Sequence, residues 1–267
     1  MCRKMSFVLG LIAVSSCVLV GQEEKSSQPQ RDRQSIEILT RVLQNSGGSR
    51  ALAAVHDITE TGEIQFYSKE GAKGSVTIRI LDGTHFRLEA DLPQEKETWV
   101  VKEGVGSQTQ GAKTEPISRE RAIALANLTL PVRHLVAALA DGQSEISFVG
   151  IEKRGDRSLY RVRVKGRLGL LSKNNSSLLP VTKDFLIDAL TFDIVSIGDS
   201  PFLMSKTYRR KQSAPSSHEI EFADFHLING VRLPFSIVII VFGQETLGIR
   251  LTQAIFNTNL REQDFEW

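Results

Sequence analysis

From His56 almost to the C-terminus, with an interruption in the middle of the chain, runs of residues alternate between apolar and polar, and that period decides the fold class. Ile58, Ile64 and Phe66, then Val76, Ile78 and Ile80, then Phe86 and Leu88 alternate with Thr, Glu, Gln, Arg and Lys. Successive side chains of a strand point to opposite faces, so this alternation describes a sheet with one buried and one wet face. Turn residues separate the runs: Lys69-Glu70-Gly71, Leu81-Asp82-Gly83 and Asn229-Gly230, of which Asp-Gly and Asn-Gly suit tight hairpins. Further strands are expected over Glu97–Val101, Glu145–Lys153, Ser158–Lys165, Thr182–Ile187, Phe192–Ile197, Met204–Arg210, His218–Leu227, Phe235–Phe242 and Gly248–Ile255. Connections this short favour antiparallel pairing. Gly104–Lys113 and Leu171–Leu179 read as loops.

Helical spacing appears in two places. Ile36, Leu39, Val42 and Leu43 share one helical face, with Ser35 as expected N-cap and Ser46-Gly47-Gly48 as the stop. Ser49 can cap a shorter turn that carries Ala51, Leu52 and Val55. In the middle of the chain, Ser118 is expected to cap a helix reaching about Leu128, which Pro131 ends because proline lacks the N–H and clashes in a helix interior. A second short helix, Val132–Ala140, stops at Asp141-Gly142. Both are more apolar than a solvent-facing helix needs to be. The class is therefore α+β and mainly antiparallel β, with a single sheet of about ten to twelve strands curling around two or three helices.

The N-terminus reads as an export signal. Arg3 and Lys4 precede an apolar run from Phe7 to Val20, and the chain turns polar after Gly21. That run is shorter than the roughly 20 residues a spanning helix needs. Two cleavage readings stand side by side. Val14-Ser15-Ser16-Cys17 resembles a lipobox, which would make Cys17 a lipidated first residue and give membrane contact through an acyl anchor. Cleavage after Gly21 would instead release a protein beginning at Gln22. The expected organisation is a signal over 1–21, a disordered polar linker over 22–34 and one β domain over 35–267. Cys2 and Cys17 are the only cysteines, so the domain has neither a disulfide nor a thiolate metal site and must be held by apolar burial.

No motif for catalysis emerges. The sequence has no Gly-x-Ser-x-Gly elbow, no phosphate-cradling glycine loop and no His-Glu-x-x-His. Glu219 and Glu221 share a strand face, but alternating Glu on a strand reads first as its solvated side. Once Arg3 and Lys4 are set aside, the 33 basic residues fall to 31, equal to the 31 acidic ones, and the basic excess of a nucleic-acid binder is absent. The expectation is a protein without catalytic residues, cofactor or metal.

Apolar supply remains. A sheet curling around apolar helices makes a concave wall suited to a hydrophobic ligand. The wall candidates are Ile64, Phe66, Ile78, Phe86, Leu88, Trp99, Phe148, Phe185, Ile187, Phe222 and Phe225. The same residues could instead pack a filled core, as in a structural or protein-interaction module of the cell envelope.

The order of elements carries a family resemblance. A helix ends at Gly47-Gly48 and is followed by Ala51-Leu52-x-x-Val55, by Thr61-Gly62-Glu63 and by Phe86-Arg87-Leu88-Glu89. The second half has Asp184-Phe-Leu-Ile-Asp188, Thr191-Phe-Asp-Ile-Val195 and Phe225-His-Leu-Ile-Asn-Gly-Val-Arg-Leu-Pro-Phe235. Over about Ile36–Leu260 this resembles the outer-membrane lipoprotein-sorting carriers of the LolA/LolB-like superfamily. The resemblance implies a curved half-barrel with helices packed as a lid on its concave face. It implies acyl chains of lipid or lipoprotein as ligand, a location in the periplasm or anchored to a membrane facing it, and no cofactor.

Overall fold

The computed structural model describes residues 30–67, 71–117, 121, 122, 125, 128–167, 180–199 and 218–267. Cys17, the expected strand Met204–Arg210 and the expected loop Leu171–Leu179 lie outside them. Thirteen strands form one sheet: β1 (Asp57–Phe66), β2 (Ala72–Leu81), β3 (His85–Asp91), β4 (Lys96–Lys102), β5 (Val105–Gln110), β6 (Lys113–Ile117), β7 (Glu145–Arg154), β8 (Arg157–Arg167), β9 (Pro180–Asp188), β10 (Ile194–Asp199), β11 (His218–Ile228), β12 (Val231–Val241) and β13 (Gln244–Phe256). Their order is β6-β5-β4-β3-β2-β1-β13-β12-β11-β10-β9-β8-β7, and neighbours are antiparallel throughout. The sheet is curved and unclosed, with β6 and β7 as its edge strands. Its centre is the pairing of β1 with β13, Ile58 opposite Phe256 and Ile64 opposite Ile249. The α+β half-barrel expected from the sequence is the observed architecture.

Two strands exceed the expectation. Gly104–Lys113, read as a loop, contributes β5 and the turn into β6. The apolar alternation is missing there because Gly106, Gln108 and Gln110 occupy one face of β5. Pro116 sits in β6, an edge strand, where a missing N–H costs no ladder bond. At the other end β10 starts at Ile194, not at Phe192, whose φ of 60° belongs to the turn. Asp188 organises that turn by accepting from the N–H groups of Leu190 (2.9 Å) and Thr191 (3.0 Å).

Three described helices lie against the concave face: α1 (Arg33–Asn45), α2 (Gly48–Ala53) and α3 (Val132–Ala140). Residues 121, 122 and 125 are helical as well. Helix α1 starts two residues before the expected cap. Asp32 is its N-cap and accepts from Ser35 N–H at 2.8 Å, while Ser35, Ile38, Leu39 and Val42 form the buried face. The ordered chain thus reaches into the span expected as linker. Gly47 ends α1 with φ 113°, and a Cβ there would stand 2.2 Å from Gly230 O, so only glycine lets this turn meet the β11–β12 hairpin. Asp193 locks the same corner, accepting from the Arg232 guanidinium (2.6 and 3.0 Å) and from Asn45 Nδ2 (2.9 Å).

Residues 30–32 run beside β7, Arg31 forming a parallel bridge with Ile146. The Arg31 guanidinium donates to the carbonyls of Ala138 (2.8 Å), Leu139 (3.2 Å) and Asp141, left open where α3 ends, and to that of Ser144 (3.1 Å) just before β7. Among the described residues, no helix is long and apolar enough to cross a membrane.

Candidate functional site

One contiguous apolar cluster fills the space between sheet and helices. Ile38, Leu39 and Val42 of α1, Leu52 of α2, Leu128 and Leu130, and Val132 and Leu135 of α3 meet the inward residues of the strands. Ile64, Phe66, Ile78, Phe86, Leu88, Trp99, Phe185, Ile187 and Phe222 are all buried in it. Phe148 and Phe225 are only half-buried and pack against its margin. Phe148 lies beside the bulge between Phe148 and Gly150, its ring edge-on to Tyr160 at 6.1 Å. Phe225 follows Asp224, which has φ 54°, and carries the Arg232 guanidinium 5.6 Å above its ring. The wall candidates are therefore together, nine in the core and these two at its rim.

Polar side chains that sequence reasoning did not single out interrupt this face. Glu97 of β4 is buried and accepts from Trp99 Nε1 (2.8 Å) and Gln108 Nε2 (2.5 Å). Arg121 lies 4.7 Å over the Trp99 ring and donates to Gln108 Oε1 (3.1 Å), which ties the helical residues around 121 to β4 and β5. His134 of α3 is buried against Phe185, their rings 6.4 Å apart. Burial holds its pKa well below the usual imidazole value, and the charge of Lys183 adds to the effect.

Glu60 differs from all of these. It is 0 % exposed, and neither carboxyl oxygen has a hydrogen-bond partner. Across from it in the ladder stand Ile78 of β2 and Ala254 of β13. Burial pushes its pKa up to about 8. Thr129 opposes the shift from nearby, yet its Oγ1 is itself buried without a partner of normal geometry. Counting by twos from Ile58 turns Glu60 inward, against the rule that strand glutamates face water.

The opposite face is polar. An open groove of about 530 Å³ crosses β2, β1, β13 and β12 and is lined by residues that include Glu63, Tyr67, Lys73, Ser75, Ser236 and Arg250. A Cβ at Gly248 would meet Tyr67 Oη at 3.0 Å, so the glycine lets that ring lie across the sheet. Farther along, Arg154 binds Glu152 (2.9 Å), Glu219 (2.9 Å) and Glu221 (3.0 Å). Glu219 and Glu221 thus belong to an ion-pair network. Among the described residues, no group of three or more His, Cys, Asp or Glu is placed to hold a metal ion.

No protein-family model matches the sequence, and neither does any curated protein. Solved structures do match. A LolA superfamily protein from Nitrosomonas europaea is 11 % identical and superposes with a TM-score of 0.50 over 85 % of this chain and 96 % of that one. A DUF1329 family protein from Desulfovibrio piger, also 11 % identical, gives 0.50 over 87 % and 96 %. At such identity the likeness concerns architecture, which is where the sequence resemblance also lay. The chain has the curved, helix-covered sheet of the LolA-like fold.

Proposed function

We propose that this protein binds the acyl chains of lipid or lipoprotein between its sheet and its helical cover, as an exported and non-catalytic component of the cell envelope. One observation carries the reading. The cover over the core's far side belongs to the segment between β6 and β7, which runs from one edge strand of the sheet to the other. Moving it breaks no strand pairing, whereas it uncovers a contiguous apolar face. An acyl chain would rebury that face, at roughly 25 cal/mol per Å². The signal-like N-terminus supports a location outside the cytoplasm, and Cys17 would anchor the protein if lipidated.

The second reading, a structural module with a protein partner in the envelope, draws on the dense packing of the same core. Native mass spectrometry of the exported protein, purified without strong detergent, separates the two. Stoichiometric lipid supports the carrier reading. A ligand-free mass that stays unchanged after incubation with envelope lipids sinks it. The same spectrum reports the mature start: Cys17 plus acyl groups, or Gln22.

A further inference from the structure

Glu60 and Thr129 stand on the two sides that must separate for a ligand to enter. Glu60 belongs to the central strand of the sheet, and Thr129 to the segment between the helical residues around 121 and α3. Both are 0 % exposed. Neither Glu60 carboxyl oxygen nor Thr129 Oγ1 makes a hydrogen bond of normal geometry, although Thr129 lies close enough to Glu60 to favour its ionised form. The surroundings are apolar: Ile58 and Ile64 precede and follow Glu60 on its strand face, Ile78 lies across the ladder, and Leu128 and Leu130 flank Thr129. A buried group without a well-made hydrogen bond keeps much of its desolvation cost, so an apolar pair of the same shape would make the closed state more stable. The cost is recovered when something polar is inserted between the two.

We propose that Glu60 and Thr129 form the polar subsite of the ligand cavity and take the uncharged ester or amide group of an acylated ligand. This rests on the acyl-binding reading above. A protonated carboxyl and a hydroxyl can each donate to a carbonyl oxygen, and each keeps an acceptor for an amide N–H. The raised pKa of Glu60 agrees with a neutral carboxyl at physiological pH, able to donate to a carbonyl as well as to accept. The apolar residues around the pair hold the chain, while the pair selects what the chain carries.

The test is competition for a bound environment-sensitive dye by N-methyldodecanamide, dodecane and dodecylamine at pH 7. Wild-type protein is expected to prefer the amide over the alkane by about tenfold, the worth of one good buried hydrogen bond. Glu60→Leu should abolish the preference while leaving alkane binding intact, and Glu60→Gln, which keeps a donor and an acceptor, should retain most of it. Thr129→Val should lower the preference by itself, which keeps the test valid if the Leu variant fails to fold. An unchanged amide-to-alkane ratio in both Glu60→Leu and Thr129→Val overturns the subsite but leaves acyl binding standing. So does tighter binding of the amine than of the amide. Failure of all three probes to displace the dye from wild-type protein removes the acyl-binding reading and the subsite with it.

Discussion

Around Glu97 the concave face is polar and paired, and around Glu60 it is apolar and unpaired. Both residues are glutamates turned inward on strands of one sheet, and both are buried. Glu97 receives two side-chain donors from its own sheet, Trp99 and Gln108, and Arg121 ties the helical residues above to this paired cluster through its hydrogen bond to Gln108 and its place over the Trp99 ring. Glu60 receives none of normal geometry, and apolar side chains make up its surroundings at the sheet centre. Hydrogen-bonded contacts resist sliding and separation, while apolar contacts can be exchanged for a ligand's. The comparison therefore marks the Glu97 corner as the fixed side of the cover and the Glu60 region as the side that can yield.

The largest expected effect concerns pH. Folded Glu60 keeps its proton up to about 8, whereas the unfolded chain releases it near 4.5. Across that window the unfolded state binds fewer protons, so stability falls as pH rises and levels off above about 8. Glu60→Gln removes the titration, and the gap between variant and wild type should open by several kcal/mol, on the order of 4, across the window. Urea denaturation at a series of pH values measures it, and parallel curves for the two proteins would break the contrast with Glu97. Next comes Glu97→Leu, which strands Trp99 Nε1 and Gln108 and leaves Arg121 without its acidic neighbour. A loss of about 3 kcal/mol is expected by the same denaturation.

Arg31→Ala should cost about 2 kcal/mol, since it uncaps the end of α3 and frees the strap beside β7. Hydrogen exchange of 132–140 reports it directly, and protection equal to wild type would show that α3 is held by its apolar face instead. The smallest effect is expected on the outer face. Arg154→Met should cost only about 0.5 kcal/mol, and less in high salt, because its partners are half-exposed.

Legibility followed the same division. Strands whose inward positions are apolar, such as β2 with Val76, Ile78 and Ile80, could be read from alternation alone. β5 could not, because its inward positions hold Gly106, Gln108 and Gln110, and a strand without an apolar stripe looks like a loop. The wall residues were legible for being large and apolar at the right period. Glu60 and Glu97 were not, since the reason for burying them lies in partners, or missing partners, far along the chain: Thr129 for one, Gln108 and Arg121 for the other. The start of α1 was misplaced because Ser35 is a plausible cap by type, while the loop before it brings Asp32 to the capping position.

The joining of β1 to β13 at the middle of the sheet has a kinetic consequence. Strands β1 to β6 follow one another through pairings between chain neighbours, as do β7 to β13 on the other flank, so each flank can zip from local turns. Among the thirteen described strands, the seam between β1 and β13 is the pairing that requires distant parts of the chain to find each other. Closing so long a loop is the entropically slow event. Two half-sheets, each exposing one temporary raw edge at the seam, are therefore the expected transient species during refolding, and the hairpin Asn229-Gly230 beside Gly47 is where the two would first be brought into line.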